Sequence, residues 1–472
     1  MLFTSLEFIC LFFVAAIGIN YLLPKSWRNC WLFLVSLFFY GWGEPRFVLV
    51  MLLSILVNYI LALCIEKRRR ARQASARRLF LILAVTFDLG LLFVFKYMNF
   101  TTAILHGIWP SVQVTQFVLP IGISFFTFQI LSYVVDVYRG ERAQRSIVCV
   151  GLYISLFPQL IAGPIVRYQT IRDALKERTV TAEDFRDGLF RFLRGFNKKL
   201  LLANTVSVAA DAAFAAADPS VLLTWLGAVC YTLQIFFDFS GYSDMAIGMG
   251  RMLGFHFPEN FNYPYISKTV TEFWRRWHIS LGSWFRDYLY FPLGGSRVRS
   301  RGRLVLNLAV VWLATGIWHG ANWTFIVWGC MYGVIIIAEK LLAIPQRVET
   351  CRPVYRIPYQ VLTMLMVVLG WVIFRSDSIA GALQYIRTMF GAVPTAPLTD
   401  GTARLYLREY AVLIAVGVLC STPLCSHIGA RAGAHHPVLA RTFSELGQIL
   451  LFLCSISYLV ISAYNPFIYF NF

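Results

Sequence analysis

Charged residues are scarce in this chain, and their scarcity indicates whether it folds in water or in a lipid membrane. Only 14% of the 472 residues are charged, whereas 58% are hydrophobic and the mean hydropathy is +0.64. Soluble domains carry roughly one quarter charged residues, so a soluble globular protein is excluded. The chain is predicted to be an all-α integral membrane protein, because several apolar runs are long enough to cross the membrane as helices.

Several motifs of other protein classes are missing. The ten cysteines are scattered without a C-x-x-C pair or a His/Cys spacing suited to zinc, so no metal site is predicted. The motif region contains no G-x-S-x-G nucleophile elbow, and SGYSD at 240–244 does not match one. No repeat, low-complexity segment or long linker divides the chain. One polytopic membrane domain over residues 1–472 is therefore predicted.

Long apolar runs recur along the whole chain. Several reach the roughly 20 residues that cross the hydrocarbon core, which predicts about ten to twelve transmembrane helices. The first run has no basic segment before it and no A-x-A site after it, so it is predicted to be an anchor rather than a cleaved signal peptide. The runs cover 3–23, 30–42, 46–65, 79–95, 116–135, 221–239, 304–318, 323–338, 358–374, 410–425 and 446–464.

Acidic residues are outnumbered by basic ones, 24 against 42, and the basic excess lies in short loops. The sequence KRRRARQASARR at 67–78 is the clearest of these loops, and the positive-inside rule predicts that it is cytoplasmic. Counting spans from this loop predicts that both termini are extracytoplasmic. No basic segment is interleaved with a recognisable nucleic-acid fold, so membrane lipid is predicted as a partner and nucleic acid is not.

One unusual segment, TEFWRRWHISLGSWFRDYLYFPLGG at 271–295, places a histidine among aromatic residues and arginines. Treated as one helix over 274–288, it has an apolar side and suits an amphipathic helix at the cytoplasmic interface. His278 lies on that side and has either a functional or a purely structural role, and the spacing does not choose between them. The residues of the apolar side are Trp274, Trp277, His278, Leu281, Trp284, Phe285 and Tyr288.

A second histidine lies in WLATGIWHGANWTFIVWGCMYG at 312–333. His319 stands between Trp318 and Gly320, where two apolar runs of about 15 residues are too short for two comfortable spans. The turn that carries His319 is therefore predicted to lie below the membrane surface. Because an ionisable side chain at that depth is costly, His319 is predicted to be functional.

Three long motifs follow one another between residues 238 and 329. They are DFSGYSDMAIGMGRMLGFHFPENFNYPYIS (238–267), TEFWRRWHISLGSWFRDYLYFPLGGSR (271–297) and GIWHGANWTFIVWG (316–329). Together they resemble the membrane-bound O-acyltransferase (MBOAT) family, and more closely its branch that O-acetylates bacterial polysaccharides such as alginate. The resemblance is densest over 119–329.

The resemblance implies an MBOAT-type bundle with re-entrant and interfacial helices that enclose a tunnel. It also implies that the histidine of the WHG motif, His319, is catalytic and that His278 of RWH is a second important residue. Transfer of an acyl group from a thioester to a hydroxyl needs a base, and imidazole has a suitable pKa near 6.5. Arg276, Asn322 and Trp318 are predicted to support the two histidines, and His278, Asn322 or Arg276 to stabilise the developing oxyanion.

The predicted function is passage of an acetyl group across the bacterial inner membrane. No cofactor is predicted to stay bound, and acetyl-CoA is the predicted donor. The predicted partners are extracytoplasmic acetyltransferase proteins and a polysaccharide acceptor such as alginate. Two alternatives stay open. One is D-alanyl transfer to teichoic acid by the same fold, and the other is non-enzymatic polysaccharide export, which predicts two symmetric halves that the sequence does not display.

The chain ends in NPFIYFNF at 465–472, predicted to be an extracytoplasmic aromatic tail. The tail either anchors at the membrane surface or folds back into the tunnel. It resembles the aromatic C-terminal motif of small proteins that accompany this family in D-alanylation. Tyr469 carries its only hydroxyl and is therefore the candidate acyl relay, deprotonated by His319.

Overall fold

The structure is a computed structural model that describes residues 1, 3–461 and 467–468. Across these residues the regular structure is helical, apart from one isolated antiparallel bridge between Phe261 and Trp277. The predicted all-α class is confirmed. Backbone N–H and C=O groups are thus paired within each helix, as a lipid environment demands.

The helices are interrupted by short segments of other helical types. These are π-helical at Glu7–Phe12, Phe93–Tyr97, Lys198–Ala203 and Arg286–Tyr290, and 3-10 at Pro264–Ile266. The α-helices up to residue 252 are α1 (Phe13–Leu22), α2 (Lys25–Gly43), α3 (Val48–Arg70), α4 (Ala74–Leu92), α5 (Met98–Ile108), α6 (Ile123–Arg139), α7 (Ile147–Ser155), α8 (Tyr168–Lys176), α9 (Ala182–Asn197), α10 (Asn204–Ala215) and α11 (Val221–Met252). Those after it are α12 (Val270–Arg276), α13 (Ile279–Phe285), α14 (Arg301–His319), α15 (Trp323–Leu341), α16 (Ile344–Thr350), α17 (Pro353–Arg375), α18 (Ile379–Met389), α19 (Gly401–Cys420), α20 (Leu424–His435) and α21 (Pro437–Ile461).

Within the described residues, six helices are long and apolar enough to cross a membrane, or seven if α19 and α20, bent by 63°, form one span. The chain is therefore a multi-pass membrane protein, and the predicted ten to twelve spans stay a prediction. Some apolar runs form shorter helices: the run 116–135 becomes helical only at Ile123, after Gly122 with φ of 77°. The six are Val48–Arg70, Ala74–Ile108, Val221–Met252, Trp323–Leu341, Pro353–Arg375 and Pro437–Ile461.

The described residues form two compact units. The first comprises Met1–Phe192 and Ser243–Pro258, and the second comprises Leu193–Tyr242 and Glu259–Ile468. The expectation of one polytopic domain stays a prediction. Both candidate histidines belong to the second unit.

The first unit buries polar side chains inside its helices. Asp88 of α4 is buried and accepts hydrogen bonds from Asn58 Nδ2 at 2.7 Å and Ser54 Oγ at 3.4 Å, both on α3. A polar group within a span needs such partners, because neither lipid nor water satisfies it there. These contacts therefore join α3 to α4.

In the second unit, α14 and α15 form a closely packed hairpin that sets the position of His319. A Cβ on Gly329 would lie 2.7 Å from the Trp312 carbonyl oxygen and 2.8 Å from Gly316 Cα, and one on Gly316 would lie 2.6 Å from the Phe325 carbonyl oxygen. The two backbones thus meet where both residues lack a side chain. Small residues permit this approach between membrane helices.

Gly329→Ala is expected to lower the free energy of unfolding by about 1–3 kcal/mol, because the added methyl forces the two helices apart. Gly302→Ala on α14 is the matched control, since nothing lies within 4 Å of a Cβ at that position. Denaturation of the purified protein in detergent measures both. Equal stability of the two variants would contradict the packing described here.

The N-terminus of α12 is fixed by two side chains. Thr269 Oγ1 accepts the Glu272 backbone N–H at 3.1 Å, in the T-x-x-E pattern of a capping box. Glu339 of α15 accepts the backbone N–H groups of Val270 at 2.8 Å and Thr271 at 2.7 Å. Negative charge is stabilising at a helix N-terminus, so Glu339 holds α12 against α15.

Candidate active site

The segment that carries His278 is broken at the histidine. Helix α12 ends at Arg276 and α13 begins at Ile279, and His278 between them has φ of 45° and ψ of 53°. The predicted continuous helix over 274–288 is therefore wrong. A left-handed conformation is uncommon for a residue other than glycine, and such positions cluster at functional sites.

A neighbouring loop replaces the hydrogen bonds that the broken helix loses. The Asn262 N–H donates to the Arg276 carbonyl at 2.9 Å, and the Ile279 N–H donates to the Asn260 carbonyl at 3.0 Å. The segment thus consists of short helices joined by a turn at His278, and its position at the membrane interface stays a prediction. Its buried apolar residues include Trp277, Leu281, Trp284 and Phe285.

Asn260 determines which nitrogen of His278 carries the proton. The Asn260 Oδ1 atom accepts the Ser280 N–H at 3.2 Å and the Ser280 hydroxyl at 2.8 Å, so this atom is the amide oxygen. It also lies 3.2 Å from His278 Nδ1. Because an oxygen acceptor faces it, Nδ1 is the protonated nitrogen, and Nε2 presents a lone pair.

His278 is neutral in this environment. Its side chain lies outside the candidate spans and is only 2% exposed, and burial lowers the pKa of the imidazole to about 3. Desolvation disfavours the charged form, which explains the direction. With Nδ1 protonated, the neutral imidazole presents an acceptor at Nε2. The oxyanion role considered for His278 stays a prediction.

His319 is the last residue of α14 and is 3% exposed. Its ring centroid lies 5.0 Å from that of Trp318, 4.9 Å from that of Trp328 and 5.3 Å from that of Phe374. These aromatic rings give the imidazole a low-dielectric setting, in which hydrogen bonds and charges act more strongly than in water.

The indole of Trp318 joins the two histidines. Its centroid lies 6.1 Å from that of His278 and 5.0 Å from that of His319. The Phe239 ring packs against His278 as well, with the two ring centroids 4.7 Å apart. The structure thus brings His278, Trp318 and His319 into one buried aromatic cluster. Their catalytic and supporting roles stay predictions.

The other predicted supporting residues hold the backbone near the histidines. Asn322 caps α15, since its Oδ1 accepts the Thr324 N–H at 3.1 Å and its Nδ2 donates to the Asp377 carbonyl at 3.0 Å. Arg276 donates to Glu272 at 2.9 Å and to the Asn262 carbonyl at 3.1 Å. Tyr469 lies outside the described residues. In the described part of the chain, no group of three His, Cys, Asp or Glu residues could hold a metal ion.

Sequence reasoning missed two residues of this site. Asn260 lies within the motif at 238–267, but its contact with His278 spans 18 positions and depends on the break between α12 and α13. Trp328 is fully buried beside His319, and no residue that the structure describes accepts a hydrogen bond from its Nε1. A buried donor of this kind is costly and calls for a functional explanation.

Comparison with known proteins places this site in a family. A model of the MBOAT, membrane-bound O-acyltransferase family matches residues 139–375, which is half of the chain and includes both histidines. The chain belongs to this family. The resemblance inferred from the motifs is thereby confirmed, and the protein is an O-acyltransferase.

Its relatives differ in how much of the chain they match. "Probable alginate O-acetylase AlgI" of Azotobacter vinelandii is 40% identical over 100% of both chains. "Peptidoglycan O-acetyltransferase" of Helicobacter pylori is 34% identical over 82% of this chain and 78% of its own length. "Teichoic acid D-alanyltransferase" of Bacillus subtilis is 29% identical over 49% of this chain and 63% of its own length.

Asn260→Leu is expected to reduce kcat for acyl transfer by about ten- to hundredfold, because His278 loses the acceptor that orients its ring. Asn260→Asp keeps an acceptor for the Nδ1 proton, but its carboxylate favours the imidazolium and raises the low pKa of His278. Its activity should therefore fall as the pH falls through that raised pKa. The pH dependence of kcat measures this difference.

A purely structural role for Asn260 gives another pattern. In that case both variants lose stability together and keep the pH profile of the parent. Parental kcat in a stable Asn260→Leu variant would contradict a positioning role for Asn260.

Proposed function

We propose that the protein passes an acetyl group from cytoplasmic acetyl-CoA across the bacterial inner membrane for O-acetylation of an extracytoplasmic polysaccharide such as alginate. The full-length match to the alginate O-acetylase of Azotobacter vinelandii supports an acetyl group. The teichoic acid relative covers only 49% of the chain, which favours acetyl over D-alanyl transfer.

The observation that carries the proposal is the buried imidazole of His319, enclosed by Trp318, Trp328 and Phe374. In the first transfer His319 takes the proton of an attacking hydroxyl, whose oxygen bonds to the thioester carbonyl carbon. The carbon–sulfur bond breaks, and the proton passes to the departing thiolate of coenzyme A. Positioned general-base catalysis of this type contributes about 10²–10⁴-fold.

Trp328 is the proposed donor to the developing oxyanion. Its buried Nε1–H lies on a ring 4.9 Å from that of His319, whereas Asn322 and Arg276 donate to backbone and carboxylate groups. A donor that is already in place costs no reorganisation when charge develops. His278 is then the proposed orienting residue, because its Nε2 lone pair is able to accept a hydrogen bond from a reacting group.

Tyr469 is the proposed first acceptor. Its phenol attacks the thioester, and the resulting ester carries the acetyl group to the partner. A hydroxyl of the partner protein attacks the ester carbonyl, the bond to the phenol oxygen breaks, and the phenol regains a proton. A phenol suits this relay because its pKa near 10 makes it a better leaving group than an alkyl alcohol.

The proposed orientation places the loop 67–78 in the cytoplasm and both termini outside. Four consecutive basic residues, Lys67 to Arg70, form the last turn of α3 and support this assignment. The acetyl group then crosses the membrane within the protein, while coenzyme A stays on the cytoplasmic side.

Inverted membrane vesicles that contain the protein, its extracytoplasmic partners and polysaccharide test the proposal. Radioactive acetyl-CoA should label the chain, then the partner, and finally the polysaccharide. Label from a D-alanyl carrier protein instead would identify D-alanyl transfer. Polysaccharide movement without any covalent label would identify an exporter.

A further inference from the structure

The second unit buries an ion pair that the acyl-transfer chemistry does not use. Lys199 Nζ, in the π-helical segment Lys198–Ala203, pairs with Asp238 Oδ1 of α11, and both side chains are 2% exposed. Asp238 lies within the candidate span Val221–Met252. Ionisable groups within a membrane span are expensive and usually functional.

The chain's own C-terminal residues contact this pair. The backbone N–H of Ile468 donates to Asp238 Oδ2 at 2.9 Å. The Phe467 ring lies 4.7 Å from Lys199 Nζ and 4.9 Å from the Tyr242 ring, at an interplanar angle of 87°. Phe467 is 1% exposed, so it is held inside the second unit rather than at the surface.

The two carboxylate oxygens of Asp238 thus have different partners. One accepts from Lys199, and the other accepts the backbone N–H of Ile468. A buried carboxylate is stabilised only when both its charge and its hydrogen bonds are satisfied. Gly241 of α11 packs closely against the Lys199 backbone, since a Cβ on Gly241 would lie 3.3 Å from the Lys199 backbone nitrogen. Lys199 is thus held beside α11.

We propose that Lys199, Asp238 and Tyr242 form a docking site, the tail clamp, for the C-terminal segment of this chain. The clamp recognises a backbone N–H through Asp238 and an aromatic ring through the Lys199 cation and the Tyr242 ring. This inference rests on the proposed function in one respect, because the clamped residues immediately precede Tyr469. The clamp therefore fixes the chain directly before the relay residue, and its members are positioning residues.

The side chain of residue 468 is free to vary in a test of the clamp, because Asp238 binds the backbone of that residue. Because Asp238 binds a backbone group, Ile468→Cys keeps the contact and supplies a thiol that reports on burial. The full chain is used with its ten native cysteines replaced. Breaking a buried ion pair by removing one partner destabilises a protein by leaving a charge unpaired, so both charges are removed together.

Two double variants, each also carrying Ile468→Cys, differ only in the acceptor. Asp238→Asn with Lys199→Met keeps an oxygen that accepts the N–H of residue 468. Asp238→Leu with Lys199→Met removes that oxygen and keeps the branched shape of the side chain. A third variant, Glu445→Gln with Ile468→Cys, controls for loss of a carboxylate from the surface pair with Arg441.

Maleimide labelling of the thiol at position 468, measured in membranes, should be slow in the control and in the Asn-containing variant. It should be about tenfold faster in the Leu-containing variant, since one buried hydrogen bond is lost. The same variant should show a lower kcat for acetyl transfer with an unchanged KM for acetyl-CoA.

Equal labelling rates in the control and both double variants would overturn the clamp, whatever their activity. Failure of the relay gives a different result. In that case labelling at position 468 still depends on the acceptor, but Tyr469→Phe keeps its activity. A fall in kcat and a rise in KM in both double variants, with equal labelling, would indicate general structural damage and would also overturn the clamp.

Discussion

His319→Ala is expected to reduce acetyl transfer by about 10²–10⁴-fold, because the attacking hydroxyl loses its general base. His319→Gln should be equally impaired, since an amide forms hydrogen bonds but does not accept the proton at neutral pH. Transfer from radioactive acetyl-CoA to the acceptor, per mole of purified protein, measures the loss. The KM for acetyl-CoA should change little, because the base acts mainly on the transition state.

The control for His319→Ala is the same substitution at His427, which is exposed on α20. This variant should keep parental activity. Both variants should accumulate in membranes, because His319 lies at the end of α14 and its loss does not interrupt a helix. Substantial transfer by a well-expressed His319→Ala variant would remove His319 from the catalytic role.

Tyr469→Phe should abolish delivery of acetyl to the polysaccharide, because it removes only the oxygen that forms the ester. The aromatic ring remains, so a tail that merely anchors would tolerate the change. The expected loss matches that of a missing nucleophile, about 10³-fold or more. Acetyl content of the polysaccharide, measured in cells that produce the variant, reports the effect.

The exposed Tyr355 provides the matched control for Tyr469. Tyr355→Phe removes a hydroxyl at the start of α17 and should leave acetylation unchanged. If Tyr469→Phe acetylates polysaccharide as well as Tyr355→Phe does, the acetyl group reaches the partner by another route.

The sequence predicted the features that depend on composition and on long motifs. Low charge and repeated apolar runs identified a helical membrane protein, and the WHG and RWH motifs identified the family. They also led to His319 and His278, whose rings both pack against Trp318. The predictions of fold class and family are confirmed, because hydrophobic patterning and long motifs are local signals. The catalytic roles of the two histidines stay predictions.

The features that the sequence did not reveal depend on contacts between distant residues. Helical spacing over 274–288 placed His278 on an apolar side, but the backbone turns left-handed there, and the loop at Asn260 accepts the displaced N–H group of Ile279. Nothing in the local periodicity encodes that loop. The tail clamp is also non-local, because Asp238 meets Lys199 from 39 positions away and Ile468 from 230.

The sequence alone also does not select the residue that donates a hydrogen bond to the oxyanion, because this choice depends on contacts in the fold. Arg276 and Asn322 are strong donors by residue type, but both hold backbone near the histidines. Residue type shows what a side chain can donate, and only the fold shows what accepts it. Trp328 gave no signal beyond its aromatic character, since the burial of its indole N–H and the packing of its ring against His319 depend on the fold.

The central claim is that the acetyl group passes through the protein itself, from acetyl-CoA to Tyr469 with His319 as the base. Mass spectrometry of the C-terminal peptide, after rapid mixing of the membrane-embedded protein with acetyl-CoA and an acid quench, tests it most directly. An acetyl ester on Tyr469 should form in the parent, disappear when the partner is added, and fail to form in His319→Ala. Acetylation of the acceptor at the full rate while the C-terminal peptide never carries acetyl would contradict the claim.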